Sequence, residues 1–283
     1  MKILSIQSSV AYGHVGNSAA VFPLQRLGHD VWPVNTVHFS NHTGYGAWRG
    51  PLLAAGDVAD VIAGIHERGV LGQVDAVLSG YQGAEDVGAV ILDAVARVKS
   101  LNPAAIYCCD PVMGDVDTGM FVRAGIPEFM RDHVLPRADI ATPNQFELDF
   151  LSGRTTTTLA EVLAAADVVR ATGPRHLLVT SVVHDDSPAD LLEVIAISDE
   201  GAWAVTTPRL PIVVSGAGDM VAALYLAHLT ASQSPAEALG ATTSSVFAVL
   251  KKTIEAGTRE IQLVAAQESI ANPPMTFPVR RLR

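Results

Sequence analysis

Ser215-Gly216-Ala217-Gly218-Asp219 is the segment whose residue types most directly suggest chemistry, and an apolar helical run, Met220–Leu229, follows it. Glycines just before a helix let backbone N–H groups converge, and a helix N-terminus carries partial positive charge; together they make an anion site. A carboxylate in the first helical turn would itself repel a phosphate. Asp219 therefore has two readings: a plain N-terminal helix acid, stabilising by on the order of a few tenths of a kcal/mol, or a group placed for chemistry beside a bound anion. Two glycines flanking one small residue leave room for a phosphate, which weakens the first reading. A P-loop is excluded, because the loop lacks the closing Lys-Ser/Thr pair and none of the four lysines lies near this turn. A dinucleotide fingerprint fails as well, with Val221 at the third small-residue position. A phosphate here would be held by backbone amides and metal.

Asp110 ends an apolar strand-like run and precedes Pro111. It reads either as a turn-capping aspartate or as a carboxylate facing magnesium or phosphate, since open α/β sheets bind ligands at strand C-terminal ends. Glu147 follows Thr142-Pro143-Asn144 and has the bland reading of an acid in a helix's first turn. Ser8, Thr43 and Tyr81 are neutral hydrogen-bonding residues at strand ends or in the following loops. Each alone fits turn chemistry; the three together suit a neutral aromatic alcohol.

The elements that position these groups alternate along nearly the whole chain. Strand-like runs are Lys2–Gln7, Val31–Val34, Ala76–Ser79, Ala105–Cys109, Ile140–Ala141, His176–Thr180, Leu191–Ile197 and Ala202–Val205. Helix-like segments are Gly16–Leu27, Val58–Arg68, Val87–Ser100, Gln145–Leu151, Leu159–Ala171, Met220–Leu229 and Pro235–Ala256. This predicts βαβ units and a central, mostly parallel sheet with helices on both faces. The short polar link Ser198–Gly201 predicts an antiparallel hairpin at a C-terminal sheet edge. His184–Ala189 reads as a loop and not a linker, so residues 1–283 are expected to form a single domain. The proline-broken, basic tail 272–283 is expected to be an extended surface arm.

Apolar residues make up 49% and charged residues 17% of the 283, which excludes intrinsic disorder. A formal charge of −10 argues against nucleic-acid and polybasic membrane partners; it also calls for a metal if a polyanionic nucleotide is to sit among these acids. The adjacent Cys108 and Cys109 cannot make a disulfide framework or a zinc site, and read as buried core on opposite faces of a strand. No run of about 18 apolar residues spans a bilayer, and the N-terminus lacks a signal-peptide pattern. A cytoplasmic protein is the expectation.

The Gly-x-Gly-Asp turn near the end of an α/β chain of this length resembles the ribokinase-like superfamily. Within it the chain resembles the pyridoxal kinase family. The resemblance is carried by Ser5-Ile6-Gln7-Ser8, Tyr12-Gly13-His14-Val15-Gly16-Asn17, Val34-Asn35-Thr36-Val37 and Phe39-Ser40-Asn41-His42-Thr43-Gly44-Tyr45. Leu78-Ser79-Gly80-Tyr81, Cys109-Asp110-Pro111-Val112-Met113-Gly114-Asp115 and Ile140-Ala141-Thr142-Pro143-Asn144-Gln145-Phe146-Glu147 extend it. It spans roughly residues 2 to 250, and Ser-Asn-His-Thr is its most family-specific motif. It implies a ribokinase-like fold and ATP- and magnesium-dependent phosphorylation of the 5′-hydroxyl of pyridoxal, and usually of pyridoxine and pyridoxamine, in vitamin B6 salvage. A monovalent cation such as K⁺ is a further candidate, and a homodimer is implied.

By that resemblance Asp219 is the catalytic base, and the amides around Gly216, Ala217 and Gly218 hold the γ-phosphate. Ser8, Val15, Thr43 and Tyr81 contact the pyridoxal ring. Asp110, Thr142 and Glu147 surround cations and phosphates, with Asp110 and Glu147 the metal candidates, Glu147 acting through water. Thr180 and Ser181 match nucleotide-side positions. Asp115 begins a flap over ATP, and Pro208, Arg209 and Leu210 contact adenine and ribose. One departure is Ala217, where the family often has Thr between the glycines: the backbone donors survive and a hydroxyl contact is lost. The rivals are the sister kinase acting on hydroxymethylpyrimidine, against which Phe39–Tyr45 argues, and a non-catalytic pyridoxal carrier, against which the intact Asp219, Asp110 and Glu147 argue.

Overall fold

The computed structural model describes residues 1–283. In chain order its elements are β1 (Lys2–Val10), α1 (Asn17–Arg26), β2 (Asp30–Phe39), α2 (Ala55–Glu67), β3 (Ala76–Ser79), α3 (Glu85–Leu101), β4 (Ile106–Cys109), β5 (Gly114–Asp115) and β6 (Gly119–Met120). There follow α4 (Ile126–Phe129), β7 (Ile140–Ala141), α5 (Gln145–Ser152), α6 (Leu159–Arg170), β8 (His176–Val182), β9 (Leu191–Ser198) and β10 (Gly201–Pro208). The chain ends with α7 (Ala217–Ser232), α8 (Pro235–Glu255), α9 (Gln267–Ala271) and β11 (Val279–Arg281).

Nine strands form one sheet in the order β11-β10-β9-β8-β7-β4-β3-β1-β2. The six from β8 to β2 are parallel, and β9, β10 and β11 run antiparallel at the edge. Strand side chains alternate between two apolar layers: Leu4, Ile6 and Cys109 face α2, α3, α5 and α6, whereas Ile3 and Cys108 face α1, α7 and α8. Both cysteines are fully buried, and burial pushes both thiols up, Cys109 to about 12. This is the mostly parallel α/β sheet the alternation predicted and the fold the family resemblance implied, with the C-terminal edge hairpin supplied by β9 and β10.

Two regions differ from the sequence reading. The tail is indeed extended and largely exposed, but Val279–Arg281 pairs with Val205–Trp203 of β10 and becomes the outermost strand. Its run is three residues long among prolines, too short to show a period. The stretch after the flap also winds into α4, a π-helical turn at Met130–Val134 and a 3₁₀ turn at Leu135–Arg137. Pro127 and Pro136 lie at the starts of such turns, where the missing N–H costs nothing, yet they mask the helical pattern in the sequence.

The chain leaves β1 toward β2 on one side and reaches β3 on the other. That reversal opens a crevice at the C-terminal ends of the strands.

Candidate active site

A cleft of about 320 Å³ occupies that crevice. The strands deliver its lining in register: Ser8 and Val10 from β1, Tyr81 just past β3, Asp110 just past β4, Thr142 just past β7 and Thr180 from β8. The glycine turn and Asp219 form the wall where α7 begins.

Gly216 caps α7 in the left-handed region (φ 86°), and a Cβ there would sit 1.8 Å from the carbonyl oxygen of His14. Only glycine fits. The amides of Ala217 and Gly218, at the first two helical positions, have no intrahelical acceptor and remain available to an anion. Asp219 does not point idly at solvent. Burial pushes its pKa up, against the backbone amides of Gly16 and of Asp219 itself, which favour the charged form. Gly16 takes its φ of 53° against Ser8, whose carbonyl oxygen would lie 2.2 Å from an added Cβ. The loop between β1 and α1 thus carries Val15 into the cleft and sets the Gly16 amide beside the Asp219 carboxylate.

Asp110 is buried, and its Oδ1 accepts the Thr142 hydroxyl at 3.0 Å; it does not cap the turn that follows it. Oδ2 faces the glycine turn, 3.9 Å from where a Cβ on Gly218 would stand. Burial, and then the charges of Glu147 and Asp219, push Asp110 well above the usual carboxylate range. Glu147 has the structural role its position suggested: it forms a capping box with Asn144 at the start of α5. It also accepts the amides of Met113 at 2.8 Å and Gly114 at 3.4 Å, which anchors the β5–β6 hairpin. Burial raises its pKa against those amides, which favour the charged form. Asp115 closes the hairpin tip by accepting the amides of Asp117 and Thr118. Val116 and Phe121 are exposed on this two-stranded flap.

The part of the cleft lined by Ser8, Val15, Thr43 and Tyr81 is neutral. Ser8 and Val15 are buried, while Tyr81 is half-buried with its hydroxyl raised chiefly by burial. Thr43 rides on a 3₁₀ turn, Thr43–Tyr45, whose first amide donors include Gly44 N–H to His42 Nδ1 at 3.2 Å. The same Nδ1 lies 2.9 Å from Ser215 Oγ, so the loop carrying Thr43 is tied to the residue that opens the glycine turn. Two incoming donors suit a neutral ring, and burial lowers the His42 pKa accordingly.

Ser181, Pro208, Arg209 and Leu210 do not line this cleft. Ser181 is exposed, in left-handed backbone (φ 55°) where the β8–β9 register shifts. Pro208–Leu210 leave the end of β10, two strands beyond β8 at the same edge of the sheet.

The family described as phosphomethylpyrimidine kinase matches residues 60–264. The chain is 62% identical to pyridoxal kinase PdxY of Rubrobacter xylanophilus, over 100% of this chain and 98% of that protein. It is 58% identical to pyridoxal kinase PdxY of Leifsonia xyli, over the full length of both. The chain belongs to the pyridoxal kinase family. The pyridoxal kinase of Leishmania donovani, solved with ADP and ginkgotoxin, superimposes with a TM-score of 0.93 at 30% identity, covering 100% of this chain and 99% of that one.

Family membership does not by itself reveal three of the structural residues. Gly16 lies in a motif that marks the family, but nothing local links it to an aspartate near the other end of the chain. His42 stands inside Ser-Asn-His-Thr, the most specific motif, but that motif does not name Ser215, 173 residues away, as its partner. Asn144 donates to the Gly114 carbonyl at 2.8 Å and so helps to hold the β5–β6 hairpin, a contact 30 residues apart that nothing local in the sequence marks.

Proposed function

We propose that this cleft transfers the γ-phosphate of ATP to the 5′-hydroxyl of pyridoxal, and also of pyridoxine and pyridoxamine, to make the 5′-phosphates in B6 salvage. The supporting observation is the convergence of two acceptor-free amides, Ala217 and Gly218, with Asp219 at one end of a cleft whose other wall is neutral. A carboxylate of pKa about 4 cannot strip an alcohol of pKa about 16 outright. Asp219 instead orients the hydroxyl and receives its proton late, as the loose phosphoryl transition state develops. Its raised pKa favours that late transfer. The turn amides hold the transferring group as charge shifts onto its oxygens. Ser8, Thr43 and Tyr81 fix the ring substituents, with Val15 packed beside the ring.

Asp110, Asp115, Glu147 and Asp219 bring four carboxylates to a cleft lined by no lysine or arginine. That donor set, all hard oxygens with uncompensated charge, fits a divalent cation. No three His, Cys, Asp or Glu side chains approach closely enough to cage an ion, which suits magnesium, an ion that keeps several waters. Asp110 would hold it through Oδ2, with Thr142 steadying Oδ1. Glu147, its oxygens already engaged by amides, would act through water. Magnesium bound with the nucleotide would neutralise phosphate charge. A monovalent cation such as K⁺ could share this acidic end. Thr180 lies on the nucleotide side, the flap starting at Asp115 covers ATP and excludes water, and Ser181 with Pro208, Arg209 and Leu210 borders the outer nucleotide region.

We read the chain as one kinase domain that works in the cytoplasm as a homodimer. Trp48 and Val61, each about half exposed on the β2 side, are apolar surface for a second copy, and sedimentation of the purified protein measures the state directly. No helix is long and apolar enough to cross a membrane. A coupled assay with ATP, magnesium and each vitamer tests the activity. The family description keeps one rival in play, and a higher kcat/KM for hydroxymethylpyrimidine than for pyridoxal would reverse the assignment.

A further inference from the structure

Glu260 lies outside the cleft lining, after α8, and is 9% exposed. Its backbone forms an isolated parallel bridge with Ser215, so it stands beside the residue that opens the glycine turn. Its carboxylate reaches two separate segments. Oε2 accepts the His14 amide at 3.0 Å, and Oε1 accepts the Tyr45 hydroxyl at 2.6 Å. The chain is shaped around this group: Gly13 has φ 91°, and a Cβ there would lie 2.1 Å from Oε2. The neighbouring Arg259 sets its guanidinium 5.0 Å above the Tyr45 ring, and Tyr12 meets that ring edge-on at 6.2 Å. The hydrogen bond to Glu260 is also the first reason the Tyr45 hydroxyl is pushed up to about 12.

The two segments are the ones that complete the acceptor side. Residues 12–16 bring Val15 to the cleft and the Gly16 amide to Asp219; residues 42–45 bring His42 and Thr43. On the assignment of this cleft to pyridoxal phosphorylation, we infer that Glu260 is a positioning residue that latches both acceptor-side loops to the base of the anion turn. It touches neither substrate. It acts through His14 and Tyr45, and it has no contact with Asp110, Thr142 or the flap, so its influence falls on the vitamer and not on the nucleotide.

The test is a set of steady-state measurements on Glu260→Ala, Glu260→Gln, Tyr45→Phe and the Ala/Phe and Gln/Phe doubles. Removing charge-assisted hydrogen bonds of this kind raises KM for pyridoxal about ten-fold in Glu260→Ala and about three-fold in Tyr45→Phe, while KM for ATP stays within two-fold. Glu260→Gln falls between wild type and Glu260→Ala. The double variants are no worse than the corresponding Glu260 variant alone, because the two side chains act as one unit. If Glu260→Ala does not fold, the cycle rests on Glu260→Gln and the exposed Tyr45→Phe. Equal rises in both KM values, or effects of Glu260 and Tyr45 that multiply independently, would overturn the latch. Hydrogen exchange gives a reading that needs no turnover: the Glu260 variants exchange faster in peptides covering 12–16 and 41–46, with the interior of α7 unchanged. Unaltered exchange in those peptides overturns the latch whatever the enzyme's substrate proves to be, whereas wild-type protein inert toward every vitamer would overturn the reading of the cleft alone.

Discussion

Two cavities of nearly equal size lie at opposite ends of the same strands. The cleft at the C-terminal ends holds about 320 Å³, and a pocket at the starts of β4, β7 and β8 holds about 330 Å³. In the second, Lys99 and Arg175 stand with Asp139 and Glu200. Lys99 Nζ meets Asp139 Oδ2 at 2.6 Å, and the same oxygen accepts the Tyr107 amide at 2.7 Å. Charge there is balanced within the protein. The cleft is lined by four carboxylates, Asp110, Asp115, Glu147 and Asp219, and by no lysine or arginine, and two amides have no intrahelical acceptor. Volume does not distinguish a site from a gap; polar groups left unmatched by the fold do, because only a ligand completes them.

The largest effect expected of this contrast is at Asp219. Asp219→Asn lowers kcat at least about 10²-fold and leaves both KM values within a few-fold in steady-state assays; full turnover would remove Asp219 from the reaction. Asp110→Asn comes next, lowering kcat/KM for magnesium-ATP by roughly ten-fold, the scale of a lost charged contact. The same variant carries a pH signature. Asp110 has its folded pKa raised above the unfolded value of about 4, so its contribution to stability is whole below pH 4 and is lost as pH rises through the folded value. In magnesium-free buffer the melting temperature of Asp110→Asn relative to wild type therefore climbs between pH 4 and pH 8; a flat difference would mean the carboxylates are not crowded.

Gly216→Ala is smaller again in rate but visible in stability. Forcing a side chain at φ 86° against the His14 carbonyl costs about 1–3 kcal/mol in denaturant unfolding. The least effect belongs to the balanced pocket. Lys99→Met changes stability by at most about 1 kcal/mol and leaves kcat/KM for pyridoxal within two-fold. A large kinetic effect there would erase the distinction between the two ends of the sheet.

The fold was legible because its signals are local. Continuous apolar runs such as Ala76–Ser79, separated by helix-length amphipathic segments, state a parallel sheet covered on both faces. The edge strand Val279–Arg281 was not legible, since three residues among prolines carry no period and their pairing with β10 is purely tertiary. The site divides the same way. Gly216–Asp219 announces itself through its glycine turn and Glu147 as an acid in a helix's first turn, whereas the capping box with Asn144 is seen in the structure. The amide of Gly16 on Asp219, His42 on Ser215 and Glu260 on Tyr45 join residues distant in the chain, and no spacing in the sequence encodes them. Thr180 reaches the cleft and its neighbour Ser181 does not, because the β8–β9 register shifts between Val179 and Val182, a displacement that residue type alone does not reveal.

The most direct test of the account is a crystal structure with magnesium, a non-hydrolysable ATP analogue and pyridoxal. The account places an Asp219 carboxylate oxygen within about 3 Å of the 5′-hydroxyl oxygen, with the γ-phosphate on the Ala217 and Gly218 amides. A complex in which the vitamer's hydroxyl sits beyond hydrogen-bond reach of Asp219, beside another acid, would contradict it.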